Sequence, residues 1–117
     1  MKTILVIEPD TILNENLVEL LRLEGFQVKS ATNELEAKIA MDDFKPSVII
    51  CDETSLTGEF GSLNNDLKKV HETGSSFIII IDSTGEKFKE ADAYIKMPFR
   101  EEELLLKLET FTRAKRA

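Results

Sequence analysis

The run PSVIICD, from Pro46 to Asp52, constrains the fold of this chain more than any other stretch. Its four apolar residues, Val48 to Cys51, lead directly into a carboxylate. A continuous run rich in Val and Ile is typical of a strand buried on both faces, as in a parallel sheet. Asp52 then falls at the carboxyl end of that strand, where open α/β sheets bind ligands. Taken alone, Asp52 is explained as well or better as the start of a turn or a helix cap.

A second apolar strand that also leads into acidic residues favours a functional role for Asp52 over that simpler explanation. Residues 3–7 are apolar after the first and are followed by Glu8, Pro9 and Asp10. Further strands are predicted over residues 26–30, 77–81 and 93–97. Helical spacing of apolar residues predicts four helices. The first covers 11–24 with Asp10 or Thr11 as its cap, and the second runs from a cap at Asn33 to about residue 44. The others cover about 60–72 and 100–114.

Strands and helices therefore alternate along the chain, which predicts an α/β fold with a doubly wound parallel sheet. With five strands, the expected order is the flavodoxin-like 2-1-3-4-5, whose switch point lies between the first and third strands. The carboxyl ends of these two strands carry Glu8, Asp10 and Asp52. Carboxylate oxygens suit a hard cation such as Mg²⁺, so an acidic metal pocket is predicted there.

Composition narrows the possible functions. The 117 residues fit one domain, 1–117, and the net charge of −7 argues against nucleic acid or an anionic membrane as a direct partner. No glycine-rich phosphate loop is present, and His71 has no apparent Ser or Cys partner, so we do not expect an enzyme. The lone Cys51 excludes an internal disulfide and is most simply a small buried hydrophobe. Without a long apolar run or a signal peptide, a cytoplasmic location is expected.

The motifs ILVIEPDTILNENLVELLRLEGFQV, KPSVIICDETSL and ADAYIKMPF resemble the receiver domain of bacterial response regulators (CheY-like) over essentially the whole chain. The resemblance implies that Asp52 accepts a phosphoryl group from a histidine kinase. It also implies that Mg²⁺ is held by Glu8, Asp10, Asp52 and the backbone carbonyl of Thr54.

The resemblance further implies a hydroxyl residue and a lysine that contact the phosphoryl group, and an aromatic switch residue, here Tyr94. By gapless counting from Asp52 the hydroxyl position falls on Asp82, and with a slip of one residue it falls on Ser83. Lys96 lies one residue before the expected lysine position. A buried core tyrosine explains Tyr94 equally well.

Three departures from the family pattern predict an atypical receiver. Pro9 stands where the family has its second acidic residue, and Met97 stands where it has the lysine. The crossover from Asp82 to Ala91 is close to the lower limit of roughly 10–12 residues for such a connection, which predicts a shortened fourth helix.

Two functions follow from these observations. The first is a receiver in two-component (phosphorelay) signal transduction, with Asp52 as phosphoacceptor and a weak Mg²⁺ site. The alternative is a pseudo-receiver that acts only as a protein-interaction module. In both cases the expected partners are proteins: a histidine kinase or a downstream signalling protein.

Overall fold

The computed structural model describes residues 2–53, 61–82 and 91–116. Strands and helices alternate up to the fourth strand. The elements are β1 (Thr3–Ile7), α1 (Thr11–Leu23), β2 (Gln27–Ala31), α2 (Glu34–Phe44), β3 (Val48–Asp52), α3 (Gly61–Thr73), β4 (Phe77–Asp82), β5 (Ala93–Lys96) and α4 (Glu101–Arg116).

The five strands form one sheet in the order β2-β1-β3-β4-β5, and every neighbouring pair is parallel. This confirms the predicted doubly wound fold. The predicted interior strands β1, β3 and β4 are interior, and their apolar side chains are almost fully buried except for Phe77, which is partly buried. The order of the strands reverses between β1 and β3, and this places a crevice at their carboxyl ends.

The helices begin and end within two residues of their predicted bounds. The side chain of Asp10 accepts hydrogen bonds from the backbone N–H groups of Ile12 and Leu13, and Asn33 caps α2 in the same way. Gly25 follows α1 with φ of 95°, a left-handed conformation that glycine adopts without steric cost.

The sheet separates two apolar clusters. On one face, α1 and α4 pack against β1, β3 and β4 through residues that include Leu17, Leu21, Leu104 and Leu108. On the other face, α2 and α3 pack through Ala37, Ala40, Leu63 and Leu67. Because successive residues of a strand face opposite sides, the strand residues divide between the clusters by alternation.

Some predicted boundaries were wrong by one residue. β2 begins at Gln27 and not at Phe26, because Phe26 packs on the α1/α4 cluster while the N–H of Gln27 donates to Lys2. β5 ends at Lys96 and not at Met97.

Two further sequence-based expectations concern the rest of the chain. The shortened fourth helix is predicted within the crossover from Asp82 to Ala91, and residues 83–90 of that crossover lie outside the described residues. Within the described ranges, no helix combines the length and apolar character needed to cross a membrane.

Candidate functional site

Glu8 and Asp52 lie side by side at the switch point. The register pairs Ile7 with Cys51, so the residues that follow them, Glu8 and Asp52, lie next to each other. Val6 and Ile50 belong to the α1/α4 cluster, and alternation gives Glu8 and Asp52 the same face. Both are buried, with 2% of Glu8 and 7% of Asp52 exposed. Two carboxyl groups therefore lie together, largely shielded from solvent, at the carboxyl ends of two interior strands.

The surroundings of Glu8 favour its neutral form. Burial raises the pKa of Glu8 from its ordinary 4.5 to about 8, helped by a hydrogen bond with Asp52 and by repulsion from the Asp52 and Asp10 charges. The N–H of Asp10, which donates to Glu8 Oε2 at 3.0 Å, acts in the opposite direction. Burial contributes more to this rise than repulsion between the carboxylates does.

The carboxylate of Asp10 is used in capping α1. Its Oδ1 accepts from Ile12 N at 3.0 Å and Leu13 N at 3.2 Å, which fixes it as the cap of α1. The expected clustering of three carboxylates stays a prediction for Asp10, whose charge helps to raise the pKa of Glu8 but whose carboxylate is engaged by α1. The reason is that α1 starts immediately after the acidic run, and its unpaired N–H groups need an acceptor.

The donors for a metal ion are thus fewer than predicted. Among residues 2–53, 61–82 and 91–116, no group of three or more His, Cys, Asp or Glu side chains is arranged to hold a metal. Glu8 Oε1 is buried without a hydrogen-bond donor, and Asp52 lies beside it, which suits one hard cation with water completing its shell. Pro9 adds no oxygen. The predicted carbonyl ligand, Thr54, lies outside the described residues.

Met97 follows β5 and lines a cavity with Leu13 and Leu17 of α1, so it lies on the face of Asp52, unlike Lys96. The pairing of β4 with β5 is continuous from Ile79–Ala93 to Asp82–Lys96, without a bulge. Ile95 belongs to the α1/α4 cluster, so Lys96 points to the opposite face and is exposed. The structure therefore does not bring Lys96 together with Asp52.

The remaining predicted site residues also follow alternation. Ile80 belongs to the α2/α3 cluster, and alternation places Asp82 on the same face. Asp82 is buried, with 8% of its surface exposed. Tyr94 packs against the same cluster and is half-buried. Ser83, the other candidate for the hydroxyl position, lies outside the described residues.

Known proteins resemble the chain in sequence and in fold. It is 30% identical over 120 residues to the phosphate regulon transcriptional regulatory protein PhoB of Pseudomonas aeruginosa, and the match covers 96% of this chain but 52% of that regulator. A two-component response regulator from Clostridium difficile superposes with a TM-score of 0.84 at 20% identity, over all of both chains.

A CheY-like response regulator receiver domain protein from Methanospirillum hungatei also gives a TM-score of 0.84, at 22% identity over 99% of this chain and 98% of that one. The chain has the fold of a response-regulator receiver domain. The resemblance inferred from the sequence motifs is thereby confirmed. No protein-family profile matches the chain.

Two buried polar residues of this chain were missed by the sequence reasoning. Glu53, directly after Asp52, is only 4% exposed, and nothing in the pattern around it distinguishes it from a surface residue. Asn14 is 3% exposed and donates through Nδ2 to the carbonyls of Glu8 and Ala31. A signal for Asn14 was available, because it shares the helical spacing of Leu17 and Leu21 and so falls on the buried stripe of α1.

Proposed function

We propose that this receiver domain acts in two-component signalling and accepts a phosphoryl group on Asp52 from a phosphohistidine of a kinase. The observation that supports this most directly is the position of Asp52. It ends the central strand β3 at the switch point of the sheet and lies beside a second carboxyl group, Glu8. The partners proposed are proteins, a kinase and a downstream signalling protein, in keeping with the net charge of −7.

In this reaction a carboxylate oxygen of Asp52 attacks the phosphorus atom of the phosphohistidine. The new O–P bond gives an acyl phosphate, the N–P bond breaks, and its electron pair returns to the imidazole of the kinase. A Mg²⁺ ion held by Glu8 and Asp52 would offset the negative charge of the phosphoryl group. Glu8 must lose its proton to serve as a ligand, and a raised pKa makes that loss unfavourable near neutral pH.

We infer that phosphotransfer to Asp52 is slow compared with a receiver that has the full set of residues. Pro9 supplies no second anionic ligand, and Met97 supplies no positive charge on the face of Asp52. Transfer therefore adds negative charge to a buried site that already holds two carboxyl groups. The same substitutions favour a second candidate function, a pseudo-receiver that binds protein partners without being phosphorylated.

The two functions are separated by Mg²⁺ titration followed by treatment with acetyl phosphate, with the mass of the product measured over time. For the proposed function, the wild type binds Mg²⁺ weakly and is labelled slowly, and Asp52→Asn abolishes the labelling. Pro9→Asp strengthens Mg²⁺ binding, and the double variant Pro9→Asp/Met97→Lys is labelled faster than the wild type.

Gln27→Lys is the matched control for the added charge. Gln27 is exposed at the start of β2, at the end of the sheet away from Asp52, so this variant should label at the wild-type rate. Complete absence of labelling in the wild type, with labelling gained in the double variant, would favour the pseudo-receiver. Fast, stoichiometric labelling of the wild type would contradict both the slow transfer and the pseudo-receiver.

A further inference from the structure

Asn14 occupies an unusual position on α1. It lies one turn before Leu17 on the stripe that packs against the sheet, and only 3% of it is exposed. A buried amide is costly unless its polar atoms find partners. The Nδ2 group of Asn14 donates to the carbonyl of Glu8 at 3.1 Å and to the carbonyl of Ala31 at 3.2 Å. Both N–H bonds of this amide are therefore used.

These hydrogen bonds hold the backbone of Glu8 on both sides. The N–H of Glu8 donates to Ala31 at 3.0 Å, extending the pairing of β1 with β2 by one residue, and its carbonyl accepts from Asn14. Ala31 accepts from both Glu8 and Asn14, so the three residues form one connected network. The carbonyl ends of β1 and β2 are thus tied to α1 by a single side chain.

The same network includes the turn that leads into α1. The N–H of Asn14 donates to the carbonyl of Asp10 at 2.9 Å, and the N–H of Asp10 donates to the carboxylate of Glu8 at 3.0 Å. Glu8 is therefore held through its backbone by Asn14 and through its side chain by Asp10. The bond from the N–H of Asn14 to Asp10 is a backbone hydrogen bond of α1 and does not depend on the Asn14 side chain. A change of this side chain therefore acts on Glu8 through the Glu8 carbonyl.

We propose that Asn14 is the positioning residue of this receiver domain, which directs the carboxyl group of Glu8 toward Asp52. It contacts neither Asp52 nor a phosphoryl group, and it acts only through Glu8. The inference rests on the proposed function for its effect on phosphotransfer. Its effect on the position of Glu8 is inferred from the hydrogen bonds alone. The position of Glu8 and the rate of phosphotransfer can therefore be tested separately.

The first measurement uses the wild-type protein. In NMR spectra, the side-chain amide protons of Asn14 should exchange with solvent at least about tenfold more slowly than those of Asn16, which is exposed on the same helix. Equal exchange at the two side chains would overturn the proposal, whatever the variants do.

The second measurement compares Asn14→Ala and Asn14→Asp with Leu21→Ala. Asn14→Asp keeps the shape of the side chain but removes its N–H donors. Leu21 is fully buried on the same helix and the same cluster but makes no hydrogen bond to Glu8, so it controls for lost stability. Both Asn14 variants should increase backbone amide exchange at Glu8 and Asp10 by at least about tenfold more than Leu21→Ala does.

The third measurement is the rate at which acetyl phosphate labels Asp52 in the presence of Mg²⁺. The Asn14 variants should label at least about tenfold more slowly than Leu21→Ala. If the wild type is not labelled at all, the proposed function fails while the exchange measurements still decide the role of Asn14. If Asn14→Ala and Leu21→Ala change exchange at Glu8 equally, Asn14 is only a structural residue and the proposal is wrong.

Discussion

At the scale of single residues, Glu8 links the candidate site to the stability of the fold. Its pKa is raised from 4.5 to about 8 in the folded chain, mainly by burial. Between these two pH values the folded state holds a proton that the unfolded state has released. The folded state is therefore stabilised at low pH, and this contribution is lost as the pH rises from about 4.5 to about 8.

We predict that Glu8→Gln removes this pH dependence, because glutamine resembles the protonated carboxyl group. The free energy of unfolding of the wild type, relative to Glu8→Gln, should fall by a few kcal/mol between about pH 5 and pH 8. Urea denaturation at several pH values measures the difference. Glu36→Gln is the control, since Glu36 is exposed and the pKa of its carboxyl is lowered by Thr32. If the free energy of unfolding varied with pH in the same way for the wild type and Glu8→Gln, Glu8 would be ionised in the folded chain over this pH range.

At the scale of elements, β4 is an interior strand that pairs with β3 on one side and β5 on the other. Ile79 is fully buried and is paired with Ile50 of β3 on one side and Ala93 of β5 on the other. We predict that Ile79→Ala lowers the free energy of unfolding by about 2–5 kcal/mol, from lost burial and the cavity left behind. Urea denaturation measures this loss. The matched variant Ile12→Ala, at a position that is 71% exposed, should change stability by less than about 0.5 kcal/mol.

Strands and helices were predictable from the sequence where a single local signal, such as an apolar run or a capping residue, determines the element. The apolar runs of β1, β3 and β4 and the capping residues Asp10 and Asn33 fixed their elements to within a residue or two. The start of β2 was missed because Phe26 suits both a strand and a packed turn. Its place is decided by contact with the α1/α4 cluster, which is tertiary information.

The candidate site was predictable only in part. Strand order and register bring Glu8 and Asp52 together, and alternation places Lys96 on the other face, so these follow from regular geometry. The direction of the Asp10 carboxylate depends on competition between the metal pocket and the helix cap. The burial of Glu53 depends on what packs over it, and no periodicity reports that.

At the scale of the whole molecule, the sheet divides the interior into two packed layers. Ile4 belongs to the α1/α4 cluster and Ile80 to the α2/α3 cluster, and β3 lies between their strands. Ile50 and Ile79, by contrast, are register partners on adjacent strands within one cluster. A local change in packing should therefore remain in its own layer, although the layers unfold together.

We predict that Ile4→Val and Ile80→Val are additive. Each should lower the free energy of unfolding by about 0.5–1.5 kcal/mol, and the double variant should match the sum to within about 0.5 kcal/mol. The pair Ile50→Val and Ile79→Val is the control, because neighbouring side chains relax into one shared space and should depart further from additivity. Urea denaturation of the six variants gives both coupling energies, provided that the dependence of the unfolding free energy on urea concentration is the same in all of them. A coupling between Ile4 and Ile80 as large as that between Ile50 and Ile79 would mean that the sheet transmits packing changes from one layer to the other.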